Sequence, residues 1–147
     1  MSRSSLAHGT RIAVLVVEDD PAMRAVLSDH LTRDGFDVVE EATAEGAMGR
    51  VETATIDAAI VDKEMPGMGG LDLLSFLRQR CPRMPVIIVT AFGGPHTADE
   101  AFERGACLYL EKPFRISHLV AALRTITASL ARCAATPGSG APRVSAS

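Results

Sequence analysis

Short apolar runs and amphipathic stretches alternate along the chain, and the alternation repeats five times. Ile12–Val17 is a continuous apolar run of strand length, the pattern of a strand covered on both faces. Asp20-Pro21 supplies an N-cap and a first-turn proline, and Met23, Val26, Leu27 and Leu31 follow at helical spacing until Gly35 ends the helix. Phe36–Val39 reads as a short second strand. Thr43 caps a second helix with the apolar face Ala44, Ala47, Met48 and Val51, weakened by Gly46 and Gly49. Ala58–Val61 is the third strand, and Leu71–Arg80 the third helix, with Leu73, Leu74 and Leu77 inward. Val86–Val89 is the most β-branched strand. Gly93-Gly94-Pro95 opens a loop into a short fourth helix, His96–Arg104, whose buried face is only Ala98, Ala101 and Phe102. So little apolar area predicts the least firmly held element of the chain. Gly105 ends it, Cys107–Leu110 is the fifth strand, and Ile116, Leu119, Val120, Leu123, Ile126 and Leu130 mark a long last helix.

Strands alternating with helices in this way predict a βαβ series, a parallel sheet with right-handed crossovers covering both faces. In such a sheet the carboxyl ends of the strands converge on one crevice, where these folds bind ligands. Polar residues stand at four of those ends: Glu18, Asp19 and Asp20 after the first strand, Asp62 after the third, Thr90 after the fourth and Lys112 after the fifth. Asp20, beside Pro21, is a helix cap. If the first and third strands are neighbours, Glu18, Asp19 and Asp62 share a small volume, and like charges so close raise one another's pKa unless a cation joins them. A hard divalent ion relieves this, and Mg²⁺ typically binds through one or two carboxylates, waters and phosphate oxygens. Lys112 and Thr90 add a fixed ammonium and a hydroxyl for negative oxygens, while an Asp carboxylate can serve as nucleophile to form an acyl phosphate. Pro113 restricts the backbone after Lys112, at an X-Pro bond open to the cis form.

A length of 147 residues suits one domain, and a hydrophobic share of 47% with 22% charged residues is that of a globular protein. A net charge of -3 and the lack of a Lys/Arg cluster argue against direct nucleic-acid binding. Cys81, Cys107 and Cys133 are widely spaced and read as small apolar residues in a reducing compartment rather than as zinc ligands. Neither a signal-peptide pattern nor a run of membrane-spanning length occurs, so a cytoplasmic location without membrane attachment is expected. The dinucleotide and mononucleotide glycine motifs are missing, as is the serine-hydrolase elbow. Residues 1–10 read as a flexible leader, 11–133 as the folded domain and 134–147 as a disordered tail or linker remnant.

Five separated signatures, in order, carry a resemblance: Val14-Leu15-Val16-Val17-Glu18-Asp19-Asp20, Val61-Asp62-Lys63-Glu64-Met65-Pro66-Gly67-Met68, Ile88-Val89-Thr90-Ala91, Gly105-Ala106 with Tyr109, and Lys112-Pro113-Phe114. From Arg11 to Arg132 the chain resembles the receiver domain of two-component response regulators, the CheY-like group. The resemblance implies a flavodoxin-like, doubly wound sheet of five strands in the order 2-1-3-4-5 with five helices. It implies that Asp62 takes phosphate from a sensor histidine kinase or a histidine phosphotransfer protein. Asp19 would ligate Mg²⁺ directly, Glu18 mainly through water, and the backbone carbonyl of Glu64 would complete the protein ligands while its side chain faces the pocket mouth. Lys112 would pair with the phosphate, Thr90 would swing toward it, and Tyr109 would follow inward. That movement would reshape the face made by the fourth helix, fifth strand and fifth helix for a downstream protein target, with homodimerisation on activation a further expected outcome.

Two departures stand out: the acidic Glu64, expected to alter the phosphate's lifetime, and the bulky Phe92, expected to narrow access for partners. The chain reads as a stand-alone receiver whose only chemistry is its own phosphorylation and dephosphorylation. The alternatives are a receiver fragment of a larger regulator or hybrid kinase, and a non-switching scaffold. A further one is a Mg²⁺-dependent phosphatase with Asp62 as nucleophile and Glu64, two residues on, as general acid-base.

Overall fold

The structure is a computed structural model that describes residues 11–135. Strands β1 (Ala13–Val17), β2 (Asp37–Glu41), β3 (Ala58–Asp62), β4 (Val86–Thr90) and β5 (Leu108–Glu111) alternate with helices α1 (Pro21–Arg33), α2 (Ala44–Thr53), α3 (Gly70–Arg80), α4 (Pro95–Glu103) and α5 (Ile116–Ala135). All four strand pairings are parallel and the order is β2-β1-β3-β4-β5, which places the first and third strands side by side. The boundaries expected from the sequence move by one or two residues, and the most consequential move is that Asp62 is the last residue of β3 itself.

The continuous apolar runs exist because the central strands are covered twice. Leu15, Val17, Val61 and Ile88 face one layer, with Ala44 and Ala47 of α2, Leu73, Leu74 and Leu77 of α3, and Ala101 of α4. Val14, Val16, Ile60 and Val89 face the other, with Leu27 and Leu31 of α1 and Leu119 and Leu123 of α5. Each such leucine withdrawn from water contributes about 1.5–3 kcal/mol of favourable transfer free energy. Local signals fix the helix starts: the Asp20 carboxylate accepts the Ala22 N–H at 3.1 Å, and the Thr43 hydroxyl accepts the Gly46 N–H at 3.0 Å.

Three burial expectations are corrected. Phe102 is 49% exposed rather than part of the core face, since α4 docks by Ala101, its one buried residue, and Phe102 leans on the Tyr109 ring at 6.4 Å between centroids. Val26 is exposed on the outer side of α1. Cys107 is exposed at the start of the edge strand and Cys81 half-buried, so these thiols are not core residues. The helix α5 runs to Ala135, so residues 134 and 135, read as the start of the tail, are helical. The expected leader, the remainder of the tail and the side chains of Leu130 and Cys133 lie outside the described residues. Among the described residues no helix is long and apolar enough to cross a membrane.

Candidate functional site

The pocket is assembled where β1, β3, β4 and β5 end. After Val17, the Glu18 N–H donates to the Glu41 carbonyl at 3.1 Å, which carries the β1–β2 ladder one residue further and leaves the Glu18 side chain 2% exposed. Arg24 reaches back from α1 to the Glu18 carbonyl at 2.7 Å and also pairs with Glu40. Asp62 ends β3 opposite Val89 and is 2% exposed, while Asp19 stands exposed at the rim. Carboxylate oxygens of Glu18, Asp19 and Asp62 lie within 4.8 Å of one another. The chain turns tightly behind them: the Gly70 N–H donates to the Lys63 carbonyl at 2.9 Å, and a Cβ at Gly70 would meet the Asp62 carbonyl at 2.3 Å. Only glycine lets α3 start so close to the strand that carries Asp62.

Lys112 closes the pocket from β5. Its N–H donates to the Thr90 carbonyl at 2.7 Å, its peptide bond to Pro113 is cis, and its ammonium sits 3.2 Å from Glu18 Oε1 and 3.5 Å from Asp62 Oδ2. Burial works against that charge, but the Asp62 and Glu18 carboxylates outweigh it and raise the Lys112 pKa above its ordinary value. Asp62 moves the other way. Burial, then the Glu18 charge, push its carboxyl up to about 7, against a smaller lowering by Lys112. One ammonium among three carboxylates leaves the pocket short of positive charge. The donors are all oxygens, two of them on buried acids, and this set is compatible with a hard divalent cation and not with a thiolate- or imidazole-seeking metal.

Thr90 is fully buried at the end of β4, one residue past the partner of Asp62. Its hydroxyl donates to Glu64 Oε2 at 2.5 Å and accepts the Phe92 N–H at 3.0 Å. The Glu64 carboxylate turns onto β4 at the mouth of the pocket, where Oε1 also accepts the Ala91 N–H at 3.0 Å. Lys63 adds an ion pair to Glu64 at 3.2 Å. Burial alone would raise the Glu64 pKa, but the bonds from Thr90, Ala91 and Lys63 hold it below the ordinary value. Tyr109 lies on β5 opposite Ile88, with its hydroxyl buried and without a hydrogen-bond partner among the described residues. Phe92 is 71% exposed and stands away from the pocket interior.

The structure therefore gathers Glu18, Asp19, Asp62 and Lys112 into one pocket and sets Thr90 with Glu64 at its β4 side. Arg24 and the backbone amide of Ala91 belong to the same neighbourhood, and neither contact is legible from the sequence. Arg24 looks like any helix-surface cation, and an amide carries no side-chain signal.

Comparison with known proteins agrees with this geometry. A family model described as "Response regulator receiver domain" matches residues 14–124. The response regulator protein FleR of Pseudomonas aeruginosa is 42% identical over 107 residues, which are 73% of this chain and 23% of that protein. The DNA-binding transcriptional regulator NtrC of Klebsiella pneumoniae is 40% identical over 106 residues, 72% of this chain and again 23% of that protein. The chain spans about a quarter of the length of these relatives. Among solved structures, the receiver domain of the Francisella response regulator 1452 superposes with a TM-score of 0.78 at 27% identity, covering 82% of this chain and 99% of that one.

Proposed function

The chain belongs to the response regulator receiver domain family, and from the geometry of its pocket we propose that Asp62 is the phosphoacceptor of a two-component signalling step. The observation that carries this reading is the Asp62 carboxylate, buried at a strand end with the Lys112 ammonium 3.5 Å away. A carboxylate oxygen of Asp62 forms a bond to phosphorus as the phosphorus–nitrogen bond of a phosphohistidine breaks, and the donor imidazole leaves with that electron pair. The donor is a sensor histidine kinase or a histidine phosphotransfer protein. Lys112 pairs with the phosphoryl oxygens, and the Thr90 hydroxyl turns to them.

The carboxylates of Glu18, Asp19 and Asp62, with the backbone carbonyl of Glu64, would hold Mg²⁺. When bound, Mg²⁺ offsets negative charge on the transferring phosphoryl group. Glu18 keeps Lys112 in place, and Asp19 stands at the rim where the donor arrives. Thr90 and Tyr109 carry the change to the face of α4, β5 and α5, which alters binding of a downstream protein target by shifting a two-state population. Self-phosphorylation and self-dephosphorylation are the only chemistry. The chain itself contacts neither nucleic acid nor membrane, works in the cytoplasm, and can pair with a second copy through the activated face.

Intact-mass spectrometry after incubation with acetyl phosphate and Mg²⁺ tests the reading. One added phosphoryl group is expected on the wild type and none on Asp62→Asn or without metal. Undiminished labelling of Asp62→Asn would exclude Asp62 as the acceptor.

A second reading, that these residues are the receiver unit of a longer regulator, draws support from FleR and NtrC, each of which is matched over 23% of its length. The same face would then act on another domain of one protein.

A further inference from the structure

Glu64 follows Asp62 by two residues, in the loop that leaves β3. Its carboxylate spans to β4 and takes two donors there, the Thr90 hydroxyl at 2.5 Å and the Ala91 N–H at 3.0 Å. Both donors stand just beyond Val89, the register partner of Asp62, at the mouth of the acidic pocket. In the same pocket the Lys112 ammonium is shared between Glu18 and Asp62. A phosphoryl group on Asp62 therefore meets an ammonium and, besides it, donors already held by a carboxylate.

The two anions cannot share those donors. A threonine hydroxyl has one proton and donates to one acceptor at a time. In Thr90 that proton goes to Glu64, while the oxygen is engaged by the Phe92 N–H at 3.0 Å. A phosphoryl group also carries up to two negative charges beside the Glu64 carboxylate, and like charges at close range in a partly buried site repel. The ammonium of Lys63, 3.2 Å from Glu64 Oε2, belongs to a half-exposed neighbour and can follow Glu64 outward.

We propose that the Glu64 carboxylate is a built-in competitor of the phosphoryl group: it occupies the Thr90 hydroxyl and the Ala91 amide, and it must leave both before they can bind phosphoryl oxygens on Asp62. The proposal rests on the reading of Asp62 as the acceptor and adds to it a second, intramolecular anion that sets how readily the switch is thrown. Ala91 and Phe92 begin the loop into α4, so exchange of one anion for the other acts on the segment that leads to the lightly anchored helix.

Beryllofluoride with Mg²⁺ serves as the probe, a non-covalent stand-in for the phosphoryl group. Glu64→Ala is expected to lower the half-saturating beryllofluoride concentration about tenfold, since a charge-assisted competitor is removed. Glu111→Gln removes a nearby carboxylate that accepts from Gly94 and not from Thr90 or Ala91, and it is expected to leave that concentration unchanged. Without any ligand, the Ala91 amide proton resonance of the wild type is expected to lie downfield and to move upfield in Glu64→Ala. An unmoved Ala91 resonance overturns the contact itself. Equal beryllofluoride affinity in wild type and Glu64→Ala, or an equal gain in Glu111→Gln, overturns competition and leaves the Asp62 reading standing. Binding by neither protein overturns both.

Discussion

The two sides of the sheet's carboxyl edge are built to different standards. Around β1 and β3 every strand residue from Val14 to Val17 and from Ala58 to Asp62 is buried, and the acids sit on that fixed frame. Around β5 no strand residue is fully buried, and α4 contributes one buried side chain while Phe92 and Phe102 face solvent. A reacting group must be held still, because carboxylates within 4.8 Å of one another lose their meaning as a site if their backbone drifts. An element that reports a chemical event must instead cost little to move, and segments with few buried contacts are the ones that open locally. Thr90 joins the two, fully buried at the end of a rigid strand yet hydrogen-bonded into the loop that leads to α4.

The largest expected effect that probes this contrast is in stability. Leu74→Ala, at a fully buried position under β3, should cost about 3 kcal/mol in denaturant unfolding. Phe102→Ala on α4 should cost under about 1 kcal/mol. Equal costs would erase the distinction between the two sides.

A smaller effect concerns pH. The Asp62 carboxyl is raised from 3.8 to about 7 in the fold, so the native state favours its protonated form. That contribution is complete below the unfolded value and is lost as the pH rises through about 7. Metal-free wild type is therefore expected to lose melting temperature between about pH 4 and about pH 7. Asp62→Asn should flatten this part of the profile and melt above the wild type at about pH 8. Mg²⁺ should raise the wild type more than the variant at that pH, because it binds the ionised cluster. A variant profile parallel to the wild type would show that the pocket acids do not govern the slope.

The smallest effect is local. Thr43→Ala removes the cap on α2 and should cost about 1 kcal/mol without altering the pocket, since α2 holds none of its residues. A loss of phosphoryl labelling in that variant would mean that the rigid side is less independent than its burial indicates.

Much of the rigid side was legible in the sequence, and the reason is physical. A strand buried on both faces must be apolar throughout, so Val14–Val17, Ala58–Val61 and Val86–Val89 announce themselves, and a carboxylate that interrupts such a run is displayed at its end. Side chains on the lightly packed side were less legible. The helical period puts Phe102 beside Ala98 and Ala101, but a helix docked along one small residue leaves its neighbour outside. The position of Glu64 depends on Thr90 and Ala91, 26 and 27 residues away, whose closeness arises only once β3 and β4 pair. Cys107 likewise reads as apolar until the sheet ends beside it.

Amide hydrogen exchange with and without acetyl phosphate and Mg²⁺, on wild type and Asp62→Asn, shows whether charge placed on Asp62 acts on the α4 side. Altered exchange is expected in the loop after Thr90, in α4 and in β5 of the phosphorylated wild type. Protection in β1 and β3 should stay unchanged, and Asp62→Asn should not respond. A phosphorylated wild type with unaltered exchange in α4 and β5, or the same alteration in Asp62→Asn, would contradict that action.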